Sequence, residues 1–161
     1  MPHTRARIAG LLIAAGFAAL TFVLWAVMNR PTPEPPWPAR IQGLAFSPFA
    51  RGEDPGLQRM PAEQGIDRDL ALLAGKTNAV RTYSTLGSLG AVPRLADKHD
   101  INVALGAWID ANRVTSEREL EGAISLARTH HNVVRVLIGN EAVLRGDVPL
   151  EEMYAWLDRA R

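Results

Sequence analysis

Residues Ile101–Glu141 read INVALGAWIDANRVTSERELEGAISLARTHHNVVRVLIGNE and hold one complete strand–helix–strand unit. The two ends, Ile101–Trp108 and Val133–Gly139, are short runs rich in apolar and β-branched residues, as expected of strands buried on both faces. Between them Leu120, Ile124 and Ala127 recur at helical spacing and predict the inner stripe of a helix. Ser116-Glu117-Arg118-Glu119 has the order of a capping box, hydroxyl first and carboxylate three residues on, and so predicts the start of that helix.

The same unit recurs on either side. Upstream lie two more apolar runs, Ile41–Phe46 (IQGLAF) and Asn78–Ser84 (NAVRTYS). Ile66, Leu70 and Leu73 then share one helical face, and Leu89, Val92 and Leu95 another. Asp67 and Asp69 are expected to favour the start of their helix through its dipole, and His130 and His131 to lie on the surface at the bottom of the sheet. Downstream, Pro149–Arg161 opens with a proline that a first helical turn tolerates and sets Met153, Trp156 and Leu157 on one side. Strands buried on both faces and joined by helices run parallel with right-handed crossovers, so residues 41–161 predict an α/β domain of the form (βα)4. Two architectures fit: a flavodoxin-like open sheet, or the first half of a (βα)8 barrel, whose usual length of about 250 residues exceeds what 41–161 supplies. The long first loop, SPFARGEDPGLQRMPAEQG, carries no G-x-G-x-x-G or P-loop phosphate cradle.

Ahead of this domain, Ile8–Met28 contains no charge, and at ~1.5 Å per residue it spans about 30 Å, the thickness of a bilayer core. A transmembrane helix over 8–28 is predicted, since the run is longer than a signal peptide's apolar stretch and no small-x-small cleavage site follows it. Arg5 and Arg7 on the short flank favour keeping residues 1–7 in the cytoplasm. The domain is then expected on the periplasmic side of the cytoplasmic membrane, anchored by a single pass. Residues 31–38, PTPEPPWP, hold five prolines and predict an extended spacer within a linker over 29–40.

Composition narrows the function. The chain is 47% hydrophobic and 22% charged, which is globular rather than disordered. Residues 41–161 hold 14 basic and 16 acidic side chains, a net of 14 − 16 = −2, without basic clusters. That leaves no electrostatic footprint for nucleic acid. With no cysteine, disulfides and thiolate metal sites are excluded.

Ligands of parallel α/β domains meet the C-terminal ends of the strands. There the sequence places Arg81-Thr82-Tyr83, Trp108-Ile109-Asp110 and Gly139-Asn140-Glu141. An amide beside a carboxyl at a strand mouth suits sugar chemistry: Asn140 can bind a hydroxyl, and Glu141 in its acid form can donate to a departing glycosidic oxygen.

The string VRVLIGNEAVLRGDV, with VRTYST and NVALGAWID at matching strand ends, resembles glycoside hydrolase family 17. The likeness covers residues 41–161, the first half of that family's catalytic domain, and IGNE followed by LRGD is its most specific element. It implies the first half, about (βα)4, of a (βα)8 TIM barrel, and a retaining β-1,3-glucanase or glucan transglycosylase of the kind that bacteria hold behind an N-terminal membrane helix. By that resemblance Glu141 is the general acid/base, Asn140 binds the hydroxyl next to the reacting carbon, and Arg81 and Tyr83 line the same sugar subsite. Trp108 is as much a core residue as a sugar platform, and Asp110 either orients a neighbour or faces water. No metal and no cofactor is implied, because two carboxyls suffice for this reaction. The family's nucleophile comes from a strand later than Arg161, so the expectation is a fragment, inactive alone, of a parent O-glycosyl hydrolase or glucanosyltransferase. The alternative is a non-catalytic glucan-binding or accessory module of a larger membrane glucan synthase.

Overall fold

The computed structural model describes residues 2–161. The chain divides into two compact units, one ending at Trp37 and the other Pro38–Arg161. The first holds helix α1, Pro2–Met28, within which Arg7–Met28 is long and apolar enough to cross a membrane, with a mean hydropathy of 2.4. Its large apolar side chains, among them Leu11, Ile13, Phe17 and Phe22, are exposed. Residues 30–38 carry no regular secondary structure. Met1 and the Arg5 side chain, on which the expected orientation partly rests, lie outside what the structure describes.

The second unit is built from β1 (Leu44–Ala45), α2 (Glu63–Leu73), β2 (Ala79–Arg81), α3 (Val92–Asp97), β3 (Asn102–Ala107), α4 (Arg113–Thr129), β4 (Val133–Ile138) and α5 (Leu150–Ala160). The four strands are parallel and lie in the order β1-β2-β3-β4. Right-handed crossovers in a monotonic order put every helix on the same face. An open doubly wound sheet must reverse its order to cover both faces, so this arrangement is the barrel-like one.

Burial follows from that geometry. Val80, Val103, Leu105 and Ala107 of the strands pack with Ile66 and Leu70 of α2, Val92, Leu95 and Ala96 of α3, and Ala123 of α4. By alternation and register the opposite face carries Arg81, Ala104, Arg135, Gly106 and Leu137. The expectation of strands buried on both faces is therefore corrected: Arg135 of β4 is exposed, because helices cover one face only, and Val134 is exposed where the β3–β4 register shifts.

Four local expectations also change. The second strand ends at Arg81, not Ser84, because Ser84 and Thr85 bond the Glu119 side chain instead of the sheet. The α4 helix begins at Arg113 with Asn112 as its cap, whose side chain accepts from the Thr115 amide at 3.3 Å. The Ser116–Glu119 capping box is thus absent. Leu89, Val92 and Leu95 are buried as a stripe, but across a 3-10 turn, Gly87–Ala91, that leads into α3 with Pro93 in its first turn. Finally, α2 starts at Glu63, which leaves Asp67 in the second turn, bonded to His99 at 3.0 Å, and Asp69 exposed.

Gly106 is where β2 and β3 crowd together. A Cβ there would lie 2.7 Å from the Tyr83 Cα and closer still to the Thr82 carbonyl oxygen, both of them backbone atoms. Only glycine admits that approach. Gly106→Ala is expected to lower stability by about 1–3 kcal/mol, read from the midpoint of urea unfolding. A second expectation concerns acid. The His99 hydrogen bond, helped by Lys98, holds the Asp67 carboxyl below its ordinary value. A carboxyl depressed in the folded state adds stability above its unfolded pKa and loses it as pH falls through the folded one. Asp67→Asn should therefore weaken the domain at neutral pH and match wild type once the medium is acid enough to protonate Asp67, as checked by unfolding midpoints across pH.

Candidate functional site

Because the Thr82–Tyr83 backbone rides over β3 at Gly106, the end of β2 reaches toward the end of β4. The Arg81 guanidinium donates to Asn140 Oδ1 at 2.7 Å, joining residues 59 apart. Its carbon also sits 4.9 Å from the centre of the Tyr83 ring, a cation–π contact that fixes the other side of the group. On β4 the last ladder bond runs from the Gly139 amide to the Ala107 carbonyl at 3.0 Å. Gly139 then takes φ 72° and Glu141 φ 54°, so two left-handed residues bracket Asn140. A left-handed conformation is unfavourable for glutamate by about 1–2 kcal/mol. Such backbone persists only where its surroundings impose it, and it concentrates at functional sites.

Arg81, Tyr83, Asn140 and Glu141 line one cavity of about 350 Å³, floored by Gly106, Ala107 and Leu137. The structure thus brings four of the six expected site residues together. Glu141 is exposed at the cavity wall, and among the described residues its carboxylate makes no side-chain hydrogen bond and is the one carboxylate lining that cavity. It is free to meet a ligand from solvent. Chemically, the cavity offers a carboxyl, an amide braced by a guanidinium, and an aromatic face.

Trp108 and Asp110 belong to a second cavity of about 640 Å³, whose walls include Phe46, Phe49, Met60 and Leu86. The two cavities share Thr82 and Tyr83. Asp110 Oδ1 accepts from the Asn112 amide at 2.8 Å and its backbone is bonded twice by Ser116 Oγ, so it orders the turn into α4. Trp108 carries the Arg145 guanidinium over its ring at 4.2 Å. The first loop, notable in sequence only for its length, contributes Phe49 and Met60 to the second cavity.

Sequence reasoning missed Glu119. Its side chain, 2% exposed, accepts from the Thr85 amide and the Thr85 hydroxyl at 2.7 Å each and from the Ser84 hydroxyl. Room for this clasp comes from Gly122, where a Cβ would stand 2.7 Å from Thr85 Oγ1. The signal was a carboxylate on the inner face of a helix, next to Leu120 and one turn from Ala123, read as a cap instead.

With this geometry in view, comparison with known proteins is informative. The sequence model for a BtgE/BtgC glycoside hydrolase domain matches residues 43–161. Glucan endo-1,3-beta-glucosidase btgC of Emericella nidulans is 37% identical over 118 residues, covering 68% of this chain and 18% of that protein. A probable glucan endo-1,3-beta-glucosidase btgC of Aspergillus terreus is 31% identical over 136 residues, covering 79% and 20%. The chain therefore spans about a fifth of the length of these curated relatives. Among solved structures, an active-site mutant of Rhizomucor miehei beta-1,3-glucanosyltransferase in complex with laminaritriose superposes with a TM-score of 0.60 at 20% identity, over 74% of this chain and 43% of that one. The glycoside hydrolase family 17 beta-1,3-glucanosyltransferase of the same organism gives a TM-score of 0.59.

Glu119 is the residue whose role is quickest to test. Replacing it with glutamine turns one of its acceptor oxygens into a donor against groups that donate. Glu119→Gln is expected to cost about 1–3 kcal/mol and to raise the amide hydrogen exchange of Thr85, which would otherwise remain protected.

Proposed function

The chain belongs to the BtgE/BtgC glycoside hydrolase domain family, and on that premise we propose that it supplies the acid/base half of a retaining site acting on β-1,3-linked glucan. The supporting observation is the convergence of Arg81, Tyr83, Asn140 and Glu141 on one cavity, with Asn140 braced by Arg81 at 2.7 Å. In this reading Glu141 gives its proton to the glycosidic oxygen as the bond to the leaving sugar breaks. A second carboxylate attacks the anomeric carbon from the opposite side, and Glu141 then takes a proton from the incoming water or sugar hydroxyl. Water gives hydrolysis and a sugar gives transfer. Asn140 holds the hydroxyl beside the reacting carbon, an interaction that strengthens as positive charge develops on the ring. Arg81 fixes the amide's orientation, and Tyr83 closes the wall of the subsite.

The two carboxyls of a retaining site stand about 5–5.5 Å apart, and the cavity holds Glu141 alone among the described residues. The nucleophile is therefore assigned to residues other than those of this cavity. The same observation favours a second reading, a glucan-binding or accessory module without turnover. The apolar length of Arg7–Met28 supports a membrane anchor, and the short basic flank with Arg5 and Arg7 is the ground for reading the domain as extracytoplasmic.

The test uses the intact protein with β-1,3-linked glucose oligomers. Glu141→Gln is expected to lower turnover by about 10²–10⁴, the usual contribution of a general acid, while oligomer binding persists. Turnover within tenfold of wild type would contradict the assignment. Binding without product in wild type and variant alike would favour the accessory module. Asn140→Ala should weaken both binding and turnover, since it removes the sugar contact and leaves the Arg81 guanidinium without its acceptor.

A further inference from the structure

We propose that Arg145 is the positioning residue of the Asn140–Glu141 turn, a clamp that sets the direction of the amide and carboxyl it never touches. The inference rests on the acid/base reading of Glu141 given above. It starts from a turn that has left the sheet, with left-handed residues at 139 and 141 and no further sheet bond after Gly139. Something outside the ladder must hold it.

Arg145 meets that need with nearly every donor it has. One terminal nitrogen donates to the Asn140 carbonyl, the other to the Ile109 carbonyl at 3.1 Å, and Nε to Asp147 Oδ2 at 2.7 Å. The second terminal nitrogen also pairs with Asp147 at 2.6 Å. The guanidinium carbon lies over the Trp108 ring, 4.2 Å from its centre. Ile109 and Asn140 follow the ends of β3 and β4, so the fork spans two neighbouring strands at the place where their ladder stops. Asp147 is tied in turn, its amide donating to the Ala142 carbonyl at 3.0 Å. The Arg145 amide donates to the Glu141 carbonyl at 2.8 Å, which closes the turn from the other side.

Two consequences separate this clamp from an ordinary surface ion pair. The side chain is 26% exposed and is held by carbonyls and a ring as well as by a carboxylate. Its geometry also requires a planar fork, which a lysine ammonium cannot reproduce. Arg145→Lys therefore keeps the charge and loses the clamp.

The experiment compares intact wild type with Arg145→Lys in two independent readouts. In turnover of β-1,3-linked glucose oligomers, the variant is expected to lose about 10- to 100-fold in kcat with KM within about threefold, to shift the alkaline limb of its pH profile, where a general acid loses its proton, and to keep its thermal midpoint within a few degrees. In NMR spectra of the micelle-embedded protein, the Arg145 Nε–H of wild type should be shifted upfield by the Trp108 ring. The Asn140 side-chain amide and the Glu141 amide should move in the variant while resonances of α2 and α3 stay put. Unchanged kcat, pH profile and Asn140 and Glu141 resonances in Arg145→Lys would overturn the proposal. If wild type neither binds nor cleaves the oligomers, the acid/base reading fails and the NMR comparison alone decides the clamp. Should Arg145→Lys not fold, Asp147→Asn, which only loosens the anchor of the fork, is expected to give the same shifts in smaller measure, and their absence would equally overturn it.

Discussion

A single missing side chain governs the architecture of the site. Because position 106 offers no Cβ, the backbone at Thr82 and Tyr83 lies directly over β3, and the end of β2 is carried across the sheet toward β4. That backbone forms the wall common to the two cavities, and beside it Arg81 bonds Asn140 and lies against the Tyr83 ring. Parallel strands in a monotonic order supply the frame, since they collect every strand end on one rim and every helix on one face. What the frame leaves open is how far the loops reach inward, and the glycine determines that.

Much of the plan was legible in the sequence because its signals are periodic. The runs at Ile101–Trp108 and Val133–Gly139 became β3 and β4 with no end moved by more than one residue, and the stripes at Ile66 and Leu70 and at Val92 and Leu95 became the helix faces that build the core. The clustering at Asn140 and Glu141 could be anticipated because ligands meet the strand ends of any parallel domain. The choice between an open sheet and half a barrel was not readable from the residues themselves, since both use the same repeating unit and differ only in strand order.

The failures share a cause as well. A side chain bonded far along the chain looks, in sequence, like one bonded nearby. Glu119 three residues after Ser116 matched a local cap, yet its partners are Ser84 and Thr85, and this long-range clasp also shortened β2. Asp67 matched a helix-dipole residue, yet its partner is His99 in the turn that follows α3. Arg145 stood in the stretch with the strongest family likeness, but nothing in its local spacing discloses that it bonds the Ile109 carbonyl and lies over Trp108.

The left-handed backbone at Glu141 also has a bearing on which substitutions the fold accepts at that position. Position 141 tolerates glycine, asparagine and aspartate more readily than glutamate, since those residues enter this region of conformational space with least strain. A change to Gly or Asn there thus runs downhill in local conformational energy, and the domain would keep its shape as it gave up the carboxyl.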